Sequence, residues 1–94
     1  MNYKKELIKK IEKLLNSEID VSEFEKNYYL FFIETVPDNA LSDEEFDFFG
    51  EIQEKLDFVS EQPSDEERSY GYINHKEYIE WLRKKMSSAS SIVA

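Results

Sequence analysis

Apolar positions fall into four stretches with helical spacing, separated by short polar segments. In the first, from about Tyr3 to Leu15, Leu7, Ile8, Ile11, Leu14 and Leu15 form one stripe, with Lys4, Lys5, Lys9, Lys10 and Lys13 around it. Asn16-Ser17-Glu18 connects it to Asp20. A second helix then turns Phe24, Tyr28, Phe31, Phe32 and Thr35 inward until Pro37 ends it. Tyr29, Leu30 and Ile33 make that segment apolar nearly all round, so it is expected to be the most buried of the four. Asp38-Asn39-Ala40 forms a turn. The third helix runs from Asp43 to about Ser60, with Glu45, Phe48, Phe49, Ile52, Leu56 and Val59 on one side and Phe46 at its margin. Gln62 to Tyr72 is the longest loop. The fourth helix, from His75 to about Met86, turns Tyr78, Ile79, Leu82 and Met86 inward and leaves Arg83, Lys84 and Lys85 at its negative C-terminal end.

Three of these helices begin alike: Ile19-Asp20-Val21-Ser22-Glu23-Phe24, Leu41-Ser42-Asp43-Glu44-Glu45-Phe46 and Ile73-Asn74-His75-Lys76-Glu77-Tyr78. In each, the Asp, Ser or Asn can accept a first-turn N–H, and the Glu three residues on can reach back to the cap's own N–H. The spacing predicts an all-α, single-domain, antiparallel four-helix bundle over residues 1–86. A small-residue tail, 87–94, is expected to be flexible.

Composition narrows the choice. Ninety-four residues provide one core but not a second lobe, and fourteen aromatics with only two Gly and two Pro suit helices better than a β-sandwich. Without cysteine there is no disulfide, thiolate or zinc–sulfur chemistry. Met-Asn-Tyr-Lys-Lys leads into an amphipathic helix, so neither a signal peptide nor a membrane span is expected, and the chain is read as cytoplasmic.

Charge placement is more informative than the net value of −9. Residues 1–15 and 68–94 each carry +3, residues 16–33 carry −3, and residues 34–67 carry −12. Such a surface repels nucleic acid and anionic membranes, and its natural partner is basic. On the third helix Asp43, Asp47, Gly50, Glu51, Glu54, Asp57 and Phe58 share the outward face. Read as one continuous helix, this ridge holds five like-charge neighbours, Asp43/Asp47, Asp47/Glu51, Glu51/Glu54, Glu54/Asp57 and Asp57/Glu61, each destabilising by about 0.2–0.5 kcal/mol. Solubility alone would be met by mixed charges, so compensation by a cationic partner is the reading that accounts for one sign.

Other chemistry has little support. His75, the single histidine, sits in a first turn that disfavours its cation, and no oriented partner or nucleophile accompanies it. Asp38 to Glu45 lacks the sixth-position Gly of a calcium loop. No Asp-Ser-Leu marks a carrier protein. The helical carboxylates lie on a convex surface that does not drive their pKa values apart. No catalytic residue, metal site or cofactor is expected.

The order of elements resembles the colicin D-type immunity proteins, a group that includes immunity proteins of contact-dependent growth inhibition systems. The likeness spans about Ile19 to Met86. It rests on the capped Ser-x-x-Glu-Phe helix and its aromatic stretch, Leu-Ser-x-x-Glu-Phe, the acidic helix leading to Pro63, Arg68 and a Tyr, and Ile-Asn-x-x-Glu-Tyr with Leu82 and Arg83. The resemblance implies a small four-helix bundle that binds a cognate tRNA-cleaving toxin domain one to one, with acidic side chains standing where RNA phosphates would lie. Asp43, Asp47, Glu51, Glu54 and Asp57 would then pair with the toxin's basic groove, Asp65, Glu66 and Glu67 would extend the contact, and Phe58, Tyr70 and Tyr72 would anchor it. The alternative is an acidic DNA mimic that inhibits a restriction or DNA-binding protein.

Overall fold

The computed structural model describes residues 2–89 and residue 92. They form an all-helical chain of five α-helices, α1 (Tyr3–Leu15), α2 (Val21–Tyr29), α3 (Asp43–Lys55), α4 (Asp65–Ser69) and α5 (His75–Ser87). A π-helical segment, Leu30–Thr35, continues α2, and a 3₁₀ turn, Leu56–Phe58, continues α3. The cap pattern acts as its spacing predicts at Ser42 and Asn74, where both halves of the capping box form. Asp20 accepts from the Glu23 N–H at 2.8 Å, and α1 has a cap of its own, Asn2 accepting from the Lys5 N–H at 3.0 Å.

Two segments differ from the sequence reading. The third helix stops at Lys55 instead of about Ser60, because the backbone beyond it pairs elsewhere: Ile73 N–H donates to the Phe58 carbonyl at 2.9 Å and Ser60 N–H to the Ile73 carbonyl at 3.0 Å. The 62–72 loop contains α4, started by a third capping box in which Ser64 Oγ accepts from Glu67 N–H and Glu67 accepts from Ser64 N–H. Gly71, at φ +93°, closes α4, with N–H bonds from Gly71 to the Arg68 carbonyl and from Tyr72 to the Glu67 carbonyl. α1 ends in the same geometry, but there the left-handed position is Ser17, at φ 62°.

The core draws Leu7, Ile11 and Leu14 from α1, Phe24 and Tyr28 from α2, Phe32 from the π segment, Phe48, Phe49, Ile52 and Leu56 from α3 and its extension, and Tyr78 and Leu82 from α5. Full burial of each large apolar side chain stabilises by about 1.5–3 kcal/mol, which is what holds these short helices. Thr35, expected inward, is exposed. The body extends 41 × 24 × 24 Å. In the C-terminal segment Ser88 caps α5, Ala89 is buried and Ile92 packs against the core; the expected flexibility of the remaining tail falls on Ser90, Ser91, Val93 and Ala94, outside the described residues.

Candidate functional site

Helical rotation makes α3 two-faced. Phe48, Phe49 and Ile52 are buried, so Asp43, Asp47, Glu51 and Glu54 are carried to the opposite side, where all four are exposed. Two buried hydroxyls hold the helix from neighbouring elements: Tyr28 donates to the Phe49 carbonyl at 2.8 Å, and Tyr78 donates to the Ile52 carbonyl at 3.0 Å. Burial raises the pKa of both phenols, so they stay protonated donors. The acidic face therefore stands on a braced backbone.

The ridge is less uniform than its sequence implied. Asp47, Glu51 and Glu54 share a shallow depression of about 250 Å³ with Phe46 and Gly50, and Glu51 and Glu54 line a second of about 330 Å³ with Lys55, Phe58 and Trp81. Asp57 instead lines a groove between α2 and α3 with Gln53, Glu25, Lys26, Tyr29 and Leu30. Glu51 is paired with Lys85 of α5, whose ammonium also lies 4.9 Å from the Phe48 ring centroid and 5.5 Å from that of Trp81. Asp43 sits in the first turn of α3, where the helix dipole favours it. Because α3 ends at Lys55, Asp57/Glu61 is not a helical neighbour pair and Glu54/Asp57 straddles the 3₁₀ turn. Of the five ridge pairs, three thus remain within α3, worth about 0.6–1.5 kcal/mol, and the Lys85 pair offsets part of it.

The loop candidates divide as well. Asp65, Glu66 and Glu67 occupy the first turn of α4, where they favour its dipole, and the Glu67 carboxylate is engaged by the Ser64 N–H at 2.9 Å. Asp65 and Glu66 are exposed, as is Tyr70 at 68%. Tyr72 is half-buried and meets Phe58 edge-on, ring centroids 5.5 Å apart, so the two rings form one aromatic unit. Arg68 bridges α4 to α5 through Glu77 at 2.5 Å.

The largest departure lies on the second helix, which is not the most buried. Tyr29, Leu30 and Ile33 are exposed, Ile33 by 52%, and Phe46 at the edge of the ridge is 52% exposed against Phe32, 5.4 Å between centroids. A signal was available: a 94-residue chain has too little interior to cover every face of an all-apolar helix. The π segment adds one residue per turn just here, a geometry concentrated at functional positions.

The remaining perturbed groups are structural. Glu45 and Glu77 have lowered pKa values, chiefly because the cap N–H groups of Ser42 and Asn74 donate to them. Glu45 also reaches Lys4 of α1 at 3.3 Å. Among the described residues no group of three or more His, Cys, Asp and Glu is placed to hold a metal ion, and no helix is long and apolar enough to cross a membrane. Compared with known proteins, the chain matches no family model, no curated protein and no solved structure.

Proposed function

We propose that the chain is a colicin D-type immunity protein, an antitoxin that blocks the basic substrate groove of a cognate tRNA-cleaving nuclease domain. The observation that carries the reading is the uncompensated face: of Asp43, Asp47, Glu51, Glu54 and Asp57, only Glu51 has an ion-pair partner among the described residues. Carboxylates held on a braced helix, with exposed aromatics beside them, suit a cationic protein surface better than a small-molecule substrate. In this reading α1, α2, α3 and α5 are the members of an antiparallel four-helix bundle, and the protein acts in the cytoplasm without catalysing a reaction. Asp47, Glu54 and Asp57 pair with the nuclease's Lys and Arg, Asp43, Asp65 and Glu66 contribute at the rim, and Phe58 and Tyr70 supply apolar contact. The nuclease's catalytic groups are shielded from tRNA and not altered.

The test is a calorimetric titration of the chain into the C-terminal domain encoded by the adjacent gene, with tRNA cleavage assayed on the same samples. One-to-one binding that abolishes cleavage is expected. An active nuclease in the presence of saturating chain would overturn the reading.

A further inference from the structure

Beside the acidic face, α2 and α3 leave a groove of about 440 Å³ lined by Glu25, Lys26, Tyr29, Leu30, Gln53 and Asp57. Its composition is unusual for a solvated seam. One wall offers two large apolar side chains, 46% and 43% exposed, and the walls carry carboxylates on opposing elements, Glu25 on α2 and Asp57 on the 3₁₀ turn after α3. Gln53 adds an amide whose buried Oε1 has no hydrogen-bond donor.

We propose that this groove seats an arginine carried on an apolar segment of the protein partner, a deepening that rests on the immunity reading. Arginine alone matches the set. Its planar guanidinium stacks on the Tyr29 ring, its aliphatic stem covers Leu30, and its five N–H donors serve Asp57 and Glu25. Lysine is a compact point charge that cannot stack. A neutral apolar residue would bury Asp57 and Glu25 without partners. Lys26, which makes no ion pair among the described residues, reduces the groove's negative charge and tunes its affinity downward.

The test uses the ¹⁵N-labelled full chain and a capped pentapeptide with a central arginine between two leucines. Saturable amide shifts centred on Tyr29, Leu30, Gln53 and Asp57 are expected. Replacing the arginine by citrulline, its neutral isostere, should weaken binding by about tenfold or more, since charge-assisted hydrogen bonds are lost. Asp57→Asn should weaken it about fivefold or more on the same grounds, and Lys26→Glu should tighten it. The proposal is overturned by any of four results: shifts centred on Asp43 to Glu51, equal binding of the citrulline peptide, no saturation at millimolar peptide, or groove amides that move on dilution without peptide, which would make a second copy the occupant. Because the peptide assay needs no nuclease, the two readings fail separately. Neutralisation without peptide binding sinks the groove alone, and peptide binding beside an active nuclease sinks the immunity reading alone.

Discussion

The Tyr28 hydroxyl donates to the Phe49 carbonyl, 2.8 Å away, from a side chain that solvent does not reach. Tyr78 repeats the arrangement on Ile52 from the other flank, so the acidic candidate face of α3 depends on two phenols that must stay neutral. Tyr28→Phe and Tyr78→Phe should each cost about 0.5–1.5 kcal/mol, the usual net value of a hydrogen bond. The pH dependence follows from the raised pKa of both groups in the folded state. Below the ordinary tyrosine pKa, about 10, their stabilisation is fully present; above it the unfolded chain loses protons that the folded chain keeps, and stability falls by about 1.4 kcal/mol per pH unit for each phenol. Urea melts between pH 9 and 12 should show that decline, and the double Phe variant should flatten it. An unchanged slope in that variant would remove the tyrosines from the account.

Ser17 is the one non-glycine residue with positive φ among the described residues, and it closes α1 where Gly71 closes α4. A side chain in the left-handed region costs about 1–2 kcal/mol, of which glycine returns part as unfolded-chain entropy. Ser17→Gly should therefore stabilise the chain, by about 0.5–1 kcal/mol. Gly71→Ala should destabilise it by a similar amount, although open space surrounds that position. Thermal melts of the two variants check both signs, and a destabilising Ser17→Gly would mean that the serine hydroxyl contributes more than its backbone costs.

α1, α5 and the capped starts were legible because each joins a cap to a following 3.6-residue apolar stripe. α4 has the same Ser-x-x-Glu spacing and a terminal glycine but no apolar residue between Val59 and Tyr70, so periodicity is silent where the cap speaks. The early end of α3 depends on Phe58 to Ser60 pairing with Ile73, a contact across the chain that no local pattern encodes. On the candidate face, the outward set Asp43, Asp47, Glu51 and Glu54 followed directly from helical rotation. What rotation could not supply was partnership: that Lys85 turns away from its own helix end to reach Glu51, or that Arg83 donates to the Leu15 carbonyl of α1 at 3.1 Å. The exposure of Tyr29, Leu30 and Ile33 was hidden by a pattern that reads equally as buried until the size of the core is considered.

Acid should loosen the caps before it touches the core. The lowered pKa values of Glu45 and Glu77 mean that their contribution is present above the ordinary glutamate range and is lost as pH falls through the folded values, below about 4.5. Carboxyl shifts followed by NMR should place both midpoints below the ordinary glutamate value. Glu77→Gln should also weaken the hold of Arg68, and the α4 amides should exchange faster while those of α1 do not. Uniform acceleration across the chain would make Glu77 a global instead of a local support.

Lys85 separates fold from function on the acidic face. Lys85→Met keeps an apolar stem against Phe48 and Trp81 but removes the pair with Glu51 and the ammonium over both rings, and should cost about 1 kcal/mol of stability. The same change leaves one more uncompensated carboxylate on the face, so association with the nuclease domain should become faster although the free protein is weaker. Asp47→Lys with Glu54→Lys should act in reverse and slow association strongly, whereas Lys9→Glu with Lys10→Glu should change it little, because α1 lies outside the proposed contact. Stopped-flow association at low and at physiological salt reads all three, and the wild-type rate should fall as salt is added. If Lys85→Met slows association, or if both reversals change it equally, then the face works by shape and not by charge.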